Sequence, residues 1–499
     1  DVVTTERNGK NITITKLKID CNNNGSLQDG IYVDAATYTT IDNVWITNAN
    51  YYGINFTSTF GDPATSTVIN SIIESSGSHA IYADDAPYLK IANNRLIKNS
   101  GDGVHILGDS HFSVITDNYV TENNGTAGIY TQNANNISIT NNTLGSNNGY
   151  GVWILSGLHV LIANNNISNH IGTSTYGISV SSDFTSIVDN HLSDNYYGIG
   201  LSSGDRNNVS SNYIASSTLQ AINISSGSDY NTIIENVLSG NVRGIYSGSI
   251  GGKISNNNII ASGQYAIQLA AATYNEVTNN KIYDSGLTLT TSDHIDLDSA
   301  DNNYIAGNYI TDTNGTGQAI DLGAGSDNNT LADNVYSGTG ASQINDAAGN
   351  TIYKNQVTNN NAIVYHNATN IFGFGLTSPG ATLVVASSTL NYYPLVVSAT
   401  SSKVAIGQNG FQDNYGFTVA TTSYFANPIY INGNATSSAA LHAPEVCIGN
   451  NCRTSWPTSG TGGSAAWQQL YTGVITPTTT NAGIFVYASS TFNSTLRVN

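Results

Sequence analysis

The stretch "ITNNTLGSNNGYGVWIL" (Ile139–Leu155) holds too many asparagines for a helix and too many breaks for an ordinary sheet. Near-copies flank it: "ITDNYVTENNGTAGIY" (Ile115–Tyr130) and "IANNNISNHIGTSTYGISV" (Ile162–Val180). The shared phrase is Ile/Val/Leu-x-x-Asn-x-apolar. Its Asn recurs at Asn94, Asn118, Asn142, Asn165, Asn190, Asn212, Asn236, Asn257, Asn280, Asn308, Asn334 and Asn355. The intervals between these positions average about 24 residues, the length of a solenoid repeat. Upstream, "ITKLKI", "IDNVWI" and "VINSII" put Leu17, Val44 and Ser71 in the same slot, which brings the count to about 15 turns.

Each repeat carries a second phrase, Gly-Ile-x-Leu or a close relative: "DGIYV", "YGINF", "DGVHI", "YGVWI", "YGISV", "YGIGL", "RGIYS". Val104 and Ile106 alternate with His105, and Val152 and Ile154 with Trp153, the period-2 signature of a strand with one buried face. A repeat this short cannot bury its own apolar face. Coiling lets successive repeats pair in parallel, ~4.8 Å apart, around a shared core. The expected class is all-β: a right-handed parallel β-helix followed by a smaller β-rich repetitive region. The Asn column is expected at a tight corner, tolerant of left-handed dihedrals and able to bond up and down the stack. On these repeats the chain resembles the pectate-lyase-like and NosD-like β-helix proteins over about residues 10–370.

Only 10% of the residues are charged, against roughly 25% in ordinary soluble domains. The net charge of −18 leaves no basic patch for phosphates, which argues against a nucleic-acid partner. No apolar run reaches the ~18 residues of a membrane span, so no membrane insertion is expected. A chain that begins at Asp1 and holds no Met reads as a mature or excised piece, whose open first coil needs a cap. Of three cysteines, Cys21 reads as a small buried apolar residue. Cys447 and Cys452 in "VCIGNNCRTSW" are a disulfide candidate closing a hairpin.

After residue 370 the grammar changes. Ala followed by Ser/Thr triplets recurs at Ala386, Ala399, Ala420, Ala435 and Ala488, beside short β-type runs. "FGFGLTSPGATLVV" resembles stalk phrases of phage tail fibres and long bacterial surface fibres. The division expected is a β-helix over 1–370, stalk repeats over 371–456, a Gly/Ser linker over 457–467 and the start of a further repeat over 468–499.

Two clusters stand out on the outward positions of the Gly-Ile-x-Leu strands. Tyr82, His105, Tyr130 and Trp153 fall on four adjacent turns. They form either a platform for sugar faces or an aromatic ladder that stabilises the sheet. His105 has no evident carboxylate partner in sequence. The second cluster is "SDHIDLDSAD" with "QAIDLG" one turn later. Alternation puts His294, Asp296 and Asp298 on the outer face, with Asp321 stacked on Asp296. Paired carboxylates suit a glycosidase, or Ca²⁺ with added backbone oxygens, or are plain surface acids. The pectate-lyase-like resemblance implies a strong cation beside such a site, and Lys281 is the nearest one in sequence.

Two functional classes follow. One is a structural and adhesive element of an extracellular fibre on a cell or virion surface, a homo-oligomer (a trimer or an end-to-end filament) that meets cell-surface glycans. The other is a polysaccharide-degrading, tailspike-like lyase or glycoside hydrolase built on Asp296, Asp298 and Asp321.

Overall fold

The computed structural model describes residues 2–354, apart from 6, 8, 23–26, 58–64, 287–292, 314–316, 339–343 and 349–350, and beyond them only short strands. Every regular element among these residues is a strand, and none is a helix that crosses a membrane. The Gly-Ile-x-Leu strands form the first sheet, 15 parallel strands from Val3–Thr4 to Ile344–Asp346. A second 15-stranded parallel sheet runs from Thr13–Thr15 to Ile352–Lys354. The third begins at Lys18–Asp20 and takes one three-residue strand from each coil, directly after the Asn column. The expected parallel β-helix is therefore present.

The inner wall is aliphatic. Within one coil Ile129, Ile139 and Leu144 are fully buried, and they sit in register with Val152, Ile162 and Ile167 of the next coil. The residue before the first-sheet strand also points inward, hard against the coil above. A Cβ on Gly103 would come within 2.3 Å of Val120 Cγ1 and 2.8 Å of the Gly128 carbonyl, which explains the Gly of the repeated phrase.

Corners separate the sheets, and a left-handed residue turns each one: Phe112 (φ 60°), Asp117 (φ 55°) and Glu122 (φ 56°) in a single coil. This corrects one expectation. The left-handed residue is the one before the Asn column, as Asp117 precedes Asn118 and Asn141 precedes Asn142. The column Asn itself does the bonding. Asn142 donates from its backbone N to Asn165 Oδ1 (2.9 Å), and from Nδ2 to Asn165 Oδ1 (3.0 Å), Ile115 O (2.9 Å) and Thr140 O (3.0 Å). Ser71 and Val44 hold the same slot upstream, Val44 N donating to Ser71 Oγ and Ser71 N to Asn94 Oδ1. Asn355 lies outside the described residues.

There is not one ladder but three. Five residues on from the first runs Ser76, Asn99, Asn123, Asn147, His170, Asn195. At the third corner Thr185 donates to Asn207 and Asn207 to Asn231, and Asn275, Asn303 and Asn329 continue the line. Buried amides that satisfy both neighbours solve the problem of polar backbone at a dry corner.

The chain divides into two units, Asp1–Val396 and Val397–Asn499. In the second, Val446–Ile448 pairs antiparallel with Asn451–Arg453, which sets Cys447 opposite Cys452 in register. Nearly all of the expected stalk, and the expected 457–467 linker up to residue 466, lie outside the described residues.

Candidate functional site

Two outward columns, not one, run along the first sheet. The expected column is the x of Gly-Ile-x-Leu, and register aligns Tyr82 with His105, His105 with Tyr130, and Tyr130 with Trp153. The second is the residue before the inward Gly, Ala or His: Tyr52, His79, Asp102, Ala127, Tyr150, Tyr176, Tyr197, Gln220, Arg243, Tyr265, Asp293. Strict alternation hides it, because the Gly and the following Ile both face inward.

Rings stack between the columns and along each: Tyr52 on Tyr82 at 4.4 Å and 6° between them, His105 on Tyr130 at 4.5 Å and 17° along the first, and Tyr176 on Tyr197 at 4.4 Å and 14° along the second. Ring faces are thus turned to one another, and edges and phenol oxygens face out. Trp153 breaks the pattern, standing edge-on to Tyr130 at 77°. Burial pushes the Tyr82 phenol up to about 12, helped by Asp84, and raises Tyr52 and Tyr130 as well. These hydroxyls stay protonated at neutral pH and donate to Asp84 Oδ2, Tyr51 Oη and Gln132 Oε1 respectively.

His105 does have a carboxylate partner, contrary to the sequence reading. Its Nδ1 lies 2.6 Å from Asp102 Oδ2. Asp102 is buried, and its Oδ1 accepts from Ala127 N (2.8 Å) and Thr126 Oγ1 (3.2 Å). Its own backbone N–H donates to His79 Nδ1 at 2.8 Å, and the His79 and His105 rings stack at 4.1 Å. Burial, and then the neighbouring His105, hold His79 down at about 4, against the opposing pull of Asp102.

The acidic cluster differs from the expected set. Asp293, Asp296 and Asp321 bring carboxylate oxygens within 4.8 Å of one another. Gln268 Nε2 donates to Asp296 Oδ2 (2.8 Å), Gln318 N to Asp293 Oδ1 (2.6 Å) and Asn345 Nδ2 to Asp321 Oδ1 (2.6 Å). Burial raises Asp296 to about 7 and Asp293 to about 6, and the neighbouring carboxylates add to both shifts. Asp298 is exposed and stands outside the trio. His294 is corrected outright. It occupies the inward Gly/Ala position, is fully buried, and sets Nε2 3.4 Å from Asp312 Oδ2. The relevant cation is corrected too. Lys281 belongs to the third sheet, whereas Arg243 lies over the ring of Tyr265 at 5.9 Å, and Tyr265 feels the field of all three acids. A carboxyl kept neutral beside ionised ones can donate a proton, and His79, Asp102 and His105 form the other group with metal-ligand atom types within 4.8 Å.

The family described as right-handed beta helix region matches residues 3–167, 102–238 and 230–375. No curated protein matches in sequence. Among solved structures, the A-module of mannuronan C-5 epimerase AlgE4 from Azotobacter vinelandii is similar at 13% identity and TM-score 0.41, over 63% of this chain and 88% of that one. The Dettilon tailspike protein aligns at 16% identity and TM-score 0.41, over 65% of this chain and 62% of its own. PfbA, a surface adhesin of Streptococcus pneumoniae, aligns at 14% identity and TM-score 0.36, over 64% of this chain and 86% of its own. These likenesses concern the fold alone.

Proposed function

For a chain that belongs to the right-handed β-helix family, we propose glycan binding along the aromatic half of the first sheet, as the adhesive part of an extracellular surface fibre or filament. One observation carries this reading: the unbroken run of outward rings from Tyr52 to Tyr197. A ladder needed for sheet stability alone could be wholly apolar. This one has phenols, two imidazoles and an indole, the amphipathic groups that meet sugars with an apolar body and a polar tip. Trp153, edge-on to Tyr130, tilted on Tyr150 and part-exposed, brings an indole to a sugar, while the Tyr82 and Tyr130 hydroxyls, whose protons go to Asp84 and Gln132, bring lone pairs. The Ala-Ser/Thr repeats after residue 370 support a fibre, and with it self-association as a trimer or end to end. A glycan array read with wild-type protein and with a Tyr130→Ala/Trp153→Ala double variant tests the proposal. Binding that the double variant loses is expected, and equal binding by both proteins overturns it.

A specific observation favours a second reading, polysaccharide cleavage. Burial raises Asp296 to about 7 and Asp293 to about 6 beside Asp321, with Tyr265 on the adjoining coil and Arg243 one coil beyond it. A proton donor next to an ionised carboxylate is the equipment of a glycosidase. Reducing-sugar release that Asp296→Asn abolishes would establish it.

A further inference from the structure

We infer that His79 and His105, set over Asp102, form a donor–acceptor pair that selects the hydroxyls of an uncharged sugar and accommodates neither a metal ion nor a sugar carboxylate. The inference rests on the glycan-binding reading above and names the class of glycan.

The argument begins with the inner ring nitrogens. The backbone N–H of Asp102 donates to His79 Nδ1 at 2.8 Å, so that nitrogen carries a lone pair and the proton of the neutral ring sits on Nε2. At His105 the relation is reversed. The Asp102 carboxylate, 2.6 Å from Nδ1, accepts its proton and leaves the lone pair on Nε2. Among the described residues no hydrogen bond reaches either Nε2, and the two side chains keep 19% and 15% exposure. Two stacked imidazoles therefore present a fixed N–H and a fixed lone pair side by side, 4.1 Å apart at their centroids. A hydroxyl both donates and accepts, so one hydroxyl or a vicinal pair satisfies both nitrogens. A metal ion needs lone pairs from both rings, and His79 has its outward one protonated.

Charge argues the same way. His79 stays neutral well below pH 7 because burial disfavours its charged form. Asp102 lies beneath the pair, and Asp84 and Asp85 flank Tyr82. Among the first-sheet strands the sole cation is Arg243, six coils from His105, roughly 29 Å at the parallel spacing. A uronate carboxylate would meet no positive partner here, and a neutral sugar loses nothing by that.

Protein labelled with ¹⁵N-histidine tests the inference by NMR, with dextran, galactomannan, polygalacturonate, alginate and ZnCl₂ as separate probes. The expected result is opposite tautomers, Nε2–H on His79 and Nδ1–H on His105, and a shift of His105 Nε2 when a neutral polysaccharide binds. Binding of either uronate at least tenfold weaker than the neutral polymer, no effect of Zn²⁺, and tenfold or greater loss of neutral binding in His105→Phe complete the expectation. The same tautomer on both rings, a preference for a uronate, or stoichiometric Zn²⁺ uptake lost in His79→Phe each overturns the inference. The tautomers are read on wild-type protein, so the test survives if a Phe variant leaves Asp102 short of a donor and misfolds. Neutral binding that Tyr130→Ala weakens and His105→Phe does not defeats this inference and spares the glycan reading. If no polysaccharide of either charge binds, the glycan reading falls with it.

Discussion

Along one sheet, the coils from Tyr52 to Tyr197 and those from Arg243 to Asn345 present opposite surfaces over the same aliphatic wall. Ile129, Val152 and Ile178 lie beneath the first set, and Ile267, Ile295 and Ile320 beneath the second, all fully buried. Outside, the first set is a stack of rings with protonated tips, and the second is a cluster of carboxylates in which burial works against the charge of Asp293 and Asp296. The inner residues specify the coil, and the outward columns are free to carry chemistry. A β-helix is in this sense a rigid rack, and its function is written in two of its columns.

The comparison can be broken at its most buried point. Asp102→Ala strands the Ala127 N–H and the Nδ1–H of His105, and should cost about 3–5 kcal/mol, as for other broken buried networks. Asp321→Ala, on a half-exposed residue of the acidic half, should cost under about 1 kcal/mol. Thermal melting separates the two, and equal losses would erase the distinction.

Acid titration probes the other half. Asp296 has its folded pKa raised to about 7, so the folded state holds a proton that the unfolded chain releases near 4. The stabilisation this gives is complete at about pH 4 and below, and is lost as pH rises through about 7. Wild-type melting temperature should therefore fall over that window. Asp296→Asn should flatten the fall and gain about 2 kcal/mol at pH 8, after allowance for solvent screening.

In binding, Trp153→Ala should lose about 1–2 kcal/mol, near tenfold in affinity for a bound neutral polysaccharide. Asp296→Asn should leave that affinity unchanged. Calorimetric titration of both variants sharpens the assignment of the ligand to the aromatic coils.

The smallest effect is at a corner. Tyr274 holds a left-handed backbone (φ 58°) and is 65% exposed, so its ring repays little of the strain. Tyr274→Asn should gain about 0.5–1 kcal/mol, visible as a small rise in melting temperature.

Much of this was legible in the residues. The 24-residue spacing of Asn94 to Asn334 yields the coil, and the alternation in "GVWIL" puts Trp153 outside. The second and third ladders were hidden because Ser76, His170 and Thr185 interrupt their asparagines. The second outward column was in view as the Tyr of "YGVWI", "YGISV" and "YGIGL". It was missed because strict period-2 reading assigns the residue before an inward Ile to the outside. The same break misplaced His294, which takes the inward Gly/Ala slot. Nothing in "SGDGV" marks Asp102 out, since its partners Ala127 and His79 are each a coil away. Sequence neighbours do not announce contacts between coils. Only the register supplies them.

The most direct test is hydroxyl-radical footprinting of side chains with and without a neutral polysaccharide that binds the protein. Tyr82, Tyr130 and Trp153 should lose reactivity severalfold on binding, while Tyr265 and Tyr309 should not change. Protection centred on Tyr265 and the acidic coils, or none along the first sheet, would contradict the account.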